Sequence, residues 1–187
     1  MSDGTARAFA DRLREAGAHH DLVSWAESHP DPREAWRVCP RGDWMLAIAA
    51  RFGAPRDRLV AAAVACARLA IDSMEEHREA GEHALAVAEG FACGAVDAET
   101  AHAAGLELER IAEVAGSQAE CAALLSAAFA GRAAAEPECA VQVVAFLVES
   151  AVHDAGDCAL LQAASWAQRR SADVVRAHLE WDEGWGV

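Results

Sequence analysis

Apolar residues recur along this chain at helical spacing, and alternating strand-like runs are scarce. Phe9, Leu13 and Ala16 fall on one stripe of a segment from about Thr5 to Ala16. The segment from His20 to Ser28 carries Leu22, Val23 and Trp25, and Pro30 stops it. Asp31-Pro32-Arg33-Glu34 has the form of a helix start, with Asp31 as N-cap, Pro32 at the first position and Glu34 reaching back. That short helix ends near Cys39-Pro40. Gly42-Asp43 opens the next, closed by Gly53, and Pro55 begins another. Its stretch Leu59 to Ile71 is apolar nearly all round, which places it at the centre of a bundle.

Further along, Ser73 with Glu76 predicts a capping box for a helix to about Cys93, with Gly94 as its C-cap. Asp97 begins a helix interrupted by Gly105, which costs about 1 kcal/mol against Ala. Ser117-Gln118-Ala119-Glu120 matches the capping box of a helix to about Arg132. Pro137 marks another start, followed by Val141, Val144, Phe146 and Leu147. Asp157 is read as the cap of a last long helix to about Glu180. Short connections favour antiparallel neighbours. The expected fold class is all-α, a multi-helix bundle of about eight to nine mostly antiparallel helices. An α-solenoid is the other arrangement that Ala-rich helix pairs permit. Residues 1–180 read as one all-helical domain and 181–187 as a flexible tail.

Composition agrees with helices and narrows the partners. Alanine dominates, tyrosine is absent, and all sixteen basic residues are Arg. Net charge is −14 and unevenly spread. Residues 1–74 hold ten acids and ten Arg, whereas residues 75–113 hold ten acids against Arg78 and Arg110, a net of −8. Nucleic acid is a poor partner for such a chain, because phosphates demand cations. The groups Arg7/Arg12/Arg14, Arg51/Arg56/Arg58 and Arg169/Arg170/Arg176 are each offset by nearby acids. The longest apolar run, Leu59 to Ile71, covers about 20 Å as a helix, short of the ~30 Å of a bilayer core. No membrane span is expected, and no signal-peptide pattern precedes the first polar helix. The six Cys (39, 66, 93, 121, 139 and 158) form no C-x-x-C pair and read as reduced thiols of a cytoplasmic protein.

Chemistry-bearing patterns are sparse. There is no P-loop, no G-x-G-x-x-G, no nucleophile elbow and no H-E-x-x-H, so neither a cofactor nor a catalytic residue is assigned. Glu99-x-x-His102, Glu79/His83 and Glu149/His153 each put a carboxylate and an imidazole on one helix face. Such pairs are commonly surface ion pairs, and no metal site is assigned to them. Trp25, Trp36, Trp181 and Trp185 are candidates for an apolar patch. Nothing in the pattern sets an oligomeric state.

The distinctive segment is Cys39-Pro40-Arg41-Gly42-Asp43-Trp44-Met45-Leu46, followed by Arg51-Phe52-Gly53 and by the helix Leu59 to Ala70 with Cys66-Ala67-Arg68-Leu69-Ala70. Asp43 suits a helix start, and Arg41 and Arg68 are both expected to reach it. Read from the residues alone, this is a helix–turn–helix corner tied by an Arg–Asp contact. The segment, with Glu34-Ala35-Trp36 before it and Ala172-Asp173-Val174-Val175-Arg176 near the end, resembles a family of immunity proteins from bacterial polymorphic-toxin and contact-dependent competition systems. The resemblance runs over about residues 30–180. It implies an all-α protein, not an enzyme, that protects its maker by binding and neutralising a cognate toxin. Cys39, Arg41, Gly42, Asp43, Trp44 and Arg68 are its motif residues, read as structural. An acidic chain suits a toxin with a basic cleft, and Glu75, Glu76, Glu79 and Glu82 are the expected contact residues. A helical scaffold or regulatory interaction module is the alternative, and a metal-dependent helical enzyme is a third reading.

Overall fold

The helix Arg56–Ile71 buries Leu59, Val60, Ala62, Ala63, Val64, Cys66, Ala67, Ala70 and Ile71, which cover more than half of its circumference, while Ala61, Ala65, Arg68 and Leu69 on the remaining side are partly covered. The remaining architecture follows from covering it. The computed structural model describes residues 3–29, 31–155 and 159–182, with side chains from residue 8 onward. Among these residues there are ten α-helices and no strand. They are α1 (Asp3–Glu15), α2 (His20–Glu27), α3 (Pro32–Val38), α4 (Gly42–Arg51), α5 (Arg56–Ile71), α6 (Arg78–Ala92), α7 (Ala98–Ala112), α8 (Gln118–Arg132), α9 (Ala140–Ala155) and α10 (Leu160–His178), with a 3₁₀ turn at Pro137–Cys139 before α9. Helix α5 packs against α4, α6, α8, α9 and α10. Contacts with helices that distant in sequence make this a bundle around a central helix, whereas a solenoid repeat touches only its neighbours. Helix α1 packs on α2 and, more lightly, on α3.

Local chemistry sets most boundaries. Asp97 accepts from the Thr100 N–H at 2.8 Å and Ser117 from the Glu120 N–H at 3.1 Å, each satisfying an orphan donor of α7 or α8. Gly94 has φ +75° just past α6, where its N–H bonds to Phe91 O and the Ala95 N–H to Gly90 O. Two expected caps differ. Asp31 caps α3 through the Arg33 N–H, but Glu34 binds Arg37 rather than turning back. The Ser73–Glu76 box does not form: the Ser73 hydroxyl donates to Ala70 O, and α6 begins only at Arg78. Asp157, expected to cap α10, lies outside the described residues, as do Pro30, Cys158 and Trp185.

Alanine and glycine bring the helices close. At the α7–α8 crossing Gly105 faces Gly131. A β-carbon on Gly105 would lie 2.5 Å from the Ala128 carbonyl oxygen, and one on Gly131 would lie 2.8 Å from that of Ala101. The Gly105 interruption is therefore what lets α7 sit down on α8. Three of the four tryptophans expected to form a surface patch, Trp25, Trp36 and Trp181, are instead packing elements, and the fourth, Trp185, lies outside the described residues. Trp36 is 4% exposed, and Trp181, placed in the tail by its sequence, sits on Phe9 and Trp36 with ring centroids 5.5 and 5.9 Å away. Trp25 stacks at a tilt on Trp44, 5.7 Å away. No helix among the described residues is long and apolar enough to cross a membrane.

Candidate functional site

Two regions hold the residues singled out by the sequence. The first is the N-terminus of α4. The Arg41 guanidinium donates to both Asp43 carboxylate oxygens, at 3.1 and 2.5 Å, and lies 4.5 Å above the Trp44 ring. Asp43 Oδ1 also accepts from the Trp44 N–H at 2.9 Å, an anion in the first turn of a helix where the dipole favours it. Arg68 does not reach Asp43. It binds Glu82 at 2.8 Å and Glu89 at 2.7 Å, because α5 lies beside α6 and its polar edge faces that helix. The rest of the motif is occupied with packing. Cys39 and Gly42 are buried, and a β-carbon on Gly42 would collide with the Ser171 side chain of α10. Arg176 donates to the Cys39 carbonyl at 2.7 Å, and the Cys66 thiol lies 3.8 Å from Ser171 O. The segments 39–46 and 172–176 thus form one three-dimensional joint between α4 and α10.

The second region surrounds the turn between α5 and α6. Arg78 pins this turn, its Nε donating to Met74 O at 2.9 Å and its terminal nitrogen to Asp72 O. Met74 is buried beneath. The turn ends at His77, whose φ of +47° is left-handed and rare outside glycine. Beside it lies a cleft of about 350 Å³ lined by Ser73, Glu75 and Glu76 from the turn, Ser117 and Glu120 from α8, and Ser150 and Asp154 from α9. No arginine among the described residues lines it. His77 Nδ1 lies 2.9 Å from Glu120 Oε1, and Glu120 Oε2 accepts from the Gly116 N–H at 2.9 Å. The hydrogen bond to His77 is the chief reason that the Glu120 carboxyl is held below the usual carboxylate range. An adjoining groove of about 410 Å³ shares Ser73, Ser150 and Asp154 but is otherwise apolar, ending at the half-exposed Trp166.

The four expected contact acids do not form one set. Glu75 and Glu76 lie in the turn rather than on a helix, Glu79 is on the exposed first turn of α6, and Glu82 is tied to Arg68. Arginines from outside residues 75–113 also neutralise Glu89 and Glu109. Glu75, Glu76 and Glu79 form no ion pair among the described residues, so three of the unpaired acids of this segment lie at or beside the turn. No spacing in the chain marks His77, Glu120, Ser150 and Asp154 as neighbours; the single trace of the cleft is the Ser117–Glu120 cap.

Among the described residues, the Glu/His pairs at helical spacing join no group of three metal-ligating side chains. His102 Nε2 lies 2.9 Å from Glu136 Oε1, not on Glu99, and His153 lies 3.8 Å from Glu149. The buried thiols are unreactive: desolvation pushes Cys39 up to about 11 and Cys66 and Cys139 up to about 12. Comparison with protein-family models, curated proteins and solved structures found no match to this chain.

Proposed function

We propose that this protein is an immunity protein that neutralises a cognate bacterial toxin by covering a basic surface, with the α5–α6 turn at the contact. The observation that carries the reading is the turn itself. Glu75 and Glu76 lie on a pinned, exposed turn with Glu79 on the first turn of α6 beside it, and none of the three forms an ion pair among the described residues, the Arg78 guanidinium being engaged by the Met74 and Asp72 carbonyls. Carboxylates held in that way steer a basic partner and add to its association rate. The resemblance of residues 34–71 and 172–176 to immunity proteins supports the reading from another side, and the α4–α10 joint makes the motif residues part of the frame. Glu82, held by Arg68, is a support of α6 rather than a contact.

The test is capture from the native host with the full chain as bait, followed by binding kinetics with the recovered protein. The expected partner is one basic protein, encoded beside this chain and toxic when expressed alone. Glu75→Gln/Glu79→Gln should slow association about tenfold at low salt and flatten its salt dependence, with dissociation little changed. Unchanged association in that variant would refute the assignment of the turn, and recovery of no toxic neighbour would refute the immunity reading.

A further inference from the structure

We propose that Glu76, His77 and Glu120 form a binding site for a divalent transition-metal ion, with Zn²⁺ as the ion their chemistry fits. One imidazole nitrogen and two carboxylate oxygens lie within 4.8 Å of one another. The closest pair, His77 Nδ1 and Glu120 Oε1, is separated by 2.9 Å. For tetrahedral ligands about 2.0–2.2 Å from a metal, neighbouring donors stand about 3.3–3.6 Å apart, so this hydrogen-bonded pair has to open by only about half an ångström to become two ligands of one ion. The donors come from elements 43 residues apart, so tertiary structure and not a flexible tail brings them together. Glu120 is also oriented as a ligand, because the Gly116 N–H holds Oε2 and leaves Oε1 toward His77.

A second feature of the cleft points to a ligand. Ser150 is only 2% exposed, lines the same cleft from α9, and its hydroxyl has no hydrogen-bond partner among the described residues. Buried hydroxyls are normally satisfied, as Ser126 is by Val143 O at 2.8 Å and Ser171 by Gln168 O at 2.9 Å. The Ser150 hydroxyl is not sealed off but opens onto the cleft, so a water carried by the metal ion is a partner it can take. Two carboxylates balance the charge of a divalent ion, and Asp154 and Glu75 on the cleft wall add to its attraction. The imidazole selects against Mg²⁺ and Ca²⁺, which prefer oxygen alone, and the lack of thiolate selects against Cu⁺. The other cluster, His19, His20 and Asp21, is made of three consecutive exposed residues. It serves as the control.

The metal-stripped full chain, titrated with ZnCl₂ in a calorimeter, should bind one equivalent with micromolar or tighter affinity, and its Tm should rise with Zn²⁺ concentration. His77→Gly removes the imidazole where glycine accepts the left-handed backbone, so the metal-free protein should keep or exceed its Tm. That variant should lose Zn²⁺ affinity by at least about a hundredfold, and Glu76→Gln by about tenfold. His20→Ala should leave binding unchanged. Failure of the wild-type chain to bind a stoichiometric Zn²⁺ ion overturns the proposal. So does undiminished binding by His77→Gly, or loss of binding in His20→Ala alone. Neither His77→Gly nor His20→Ala alters Glu75 or Glu79, so the outcome is separable from that of the partner test.

Discussion

The substitution Gly→Ala should have opposite signs at two places in this bundle. Gly90 and Gly105 are both helical and neither has a left-handed backbone, so intrinsic propensity alone predicts a gain at each. At Gly90 the new methyl meets only Val96, with Cγ2 nearest at 3.4 Å, ordinary contact. The expected gain is about 0.4–1 kcal/mol, mostly from restricting the unfolded chain. At Gly105 the methyl would stand 2.5 Å from Ala128 O and 3.1 Å from the Arg132 backbone nitrogen. Carbon and oxygen rest at about 3.3–3.6 Å, so α7 must lift off α8 by roughly 0.8–1.1 Å. Helix backbone has little room to yield, and overpacking of this kind costs about 1–3 kcal/mol or somewhat more. Set against a propensity gain of up to about 1 kcal/mol, the net loss is about 1–2 kcal/mol. For a chain of this length each kcal/mol moves Tm by about 2–4 °C, giving a fall of about 2–8 °C for Gly105→Ala and a rise of about 1–4 °C for Gly90→Ala. Thermal unfolding followed by circular dichroism, with urea midpoints as a check, reads both. A Tm for Gly105→Ala at or above wild type would refute the close-approach argument.

Asp43→Ala should destabilise by about 1–2 kcal/mol, between the values for exposed and buried pairs, because Asp43 is largely covered while Arg41 is over a third exposed. Asp43→Asn keeps an oxygen for the Trp44 N–H and should lose less; equal losses in the two variants, read as urea midpoints, would discount that backbone bond. Glu136 receives bonds from Arg132 at 2.8 Å and the Cys139 thiol at 3.2 Å, and lies 2.9 Å from His102; the first of these does most to lower its pKa to about 2 from 4.5. A depressed carboxylate stabilises the fold fully above about 4.5, and that share is lost as pH falls toward about 2. Glu136→Gln should therefore flatten the acid limb of a stability–pH curve in that window, and an unchanged limb would count against the coupling.

Much of the helical frame is legible in the sequence because its signals are local. Asp97, Ser117 and Gly94 act within one turn of their own positions, and the broad apolar surface of α5, interrupted after Leu59 only by Arg68, directs it to the centre. The α5–α6 turn defeats the same logic. Ser73 and Glu76 have the spacing of a capping box, but burial of Met74 and the Arg78 clamp hold the chain in a turn until α6 starts. Proximity within the motif points Arg68 at Asp43, whereas α6 offers it two carboxylates across a helix pair. Gly105 is visible as a cost, but its reason, Gly131 on another helix, is not. The same holds for His77 and Glu120, which no spacing rule joins.

The joint between α4 and α10 also sets a timetable. Arg176 meets the Cys39 carbonyl across 137 residues of chain. At about 5–20 residues per second, a ribosome needs roughly 7–27 s to travel from one to the other. For most of that interval, once Ile71 has been made, the nascent chain has a complete α4 and α5 but nothing to lay against Gly42 or over the Cys66 thiol. Helices that can form early must wait for a late arrival, and their uncovered apolar sides are what a holdase chaperone grips.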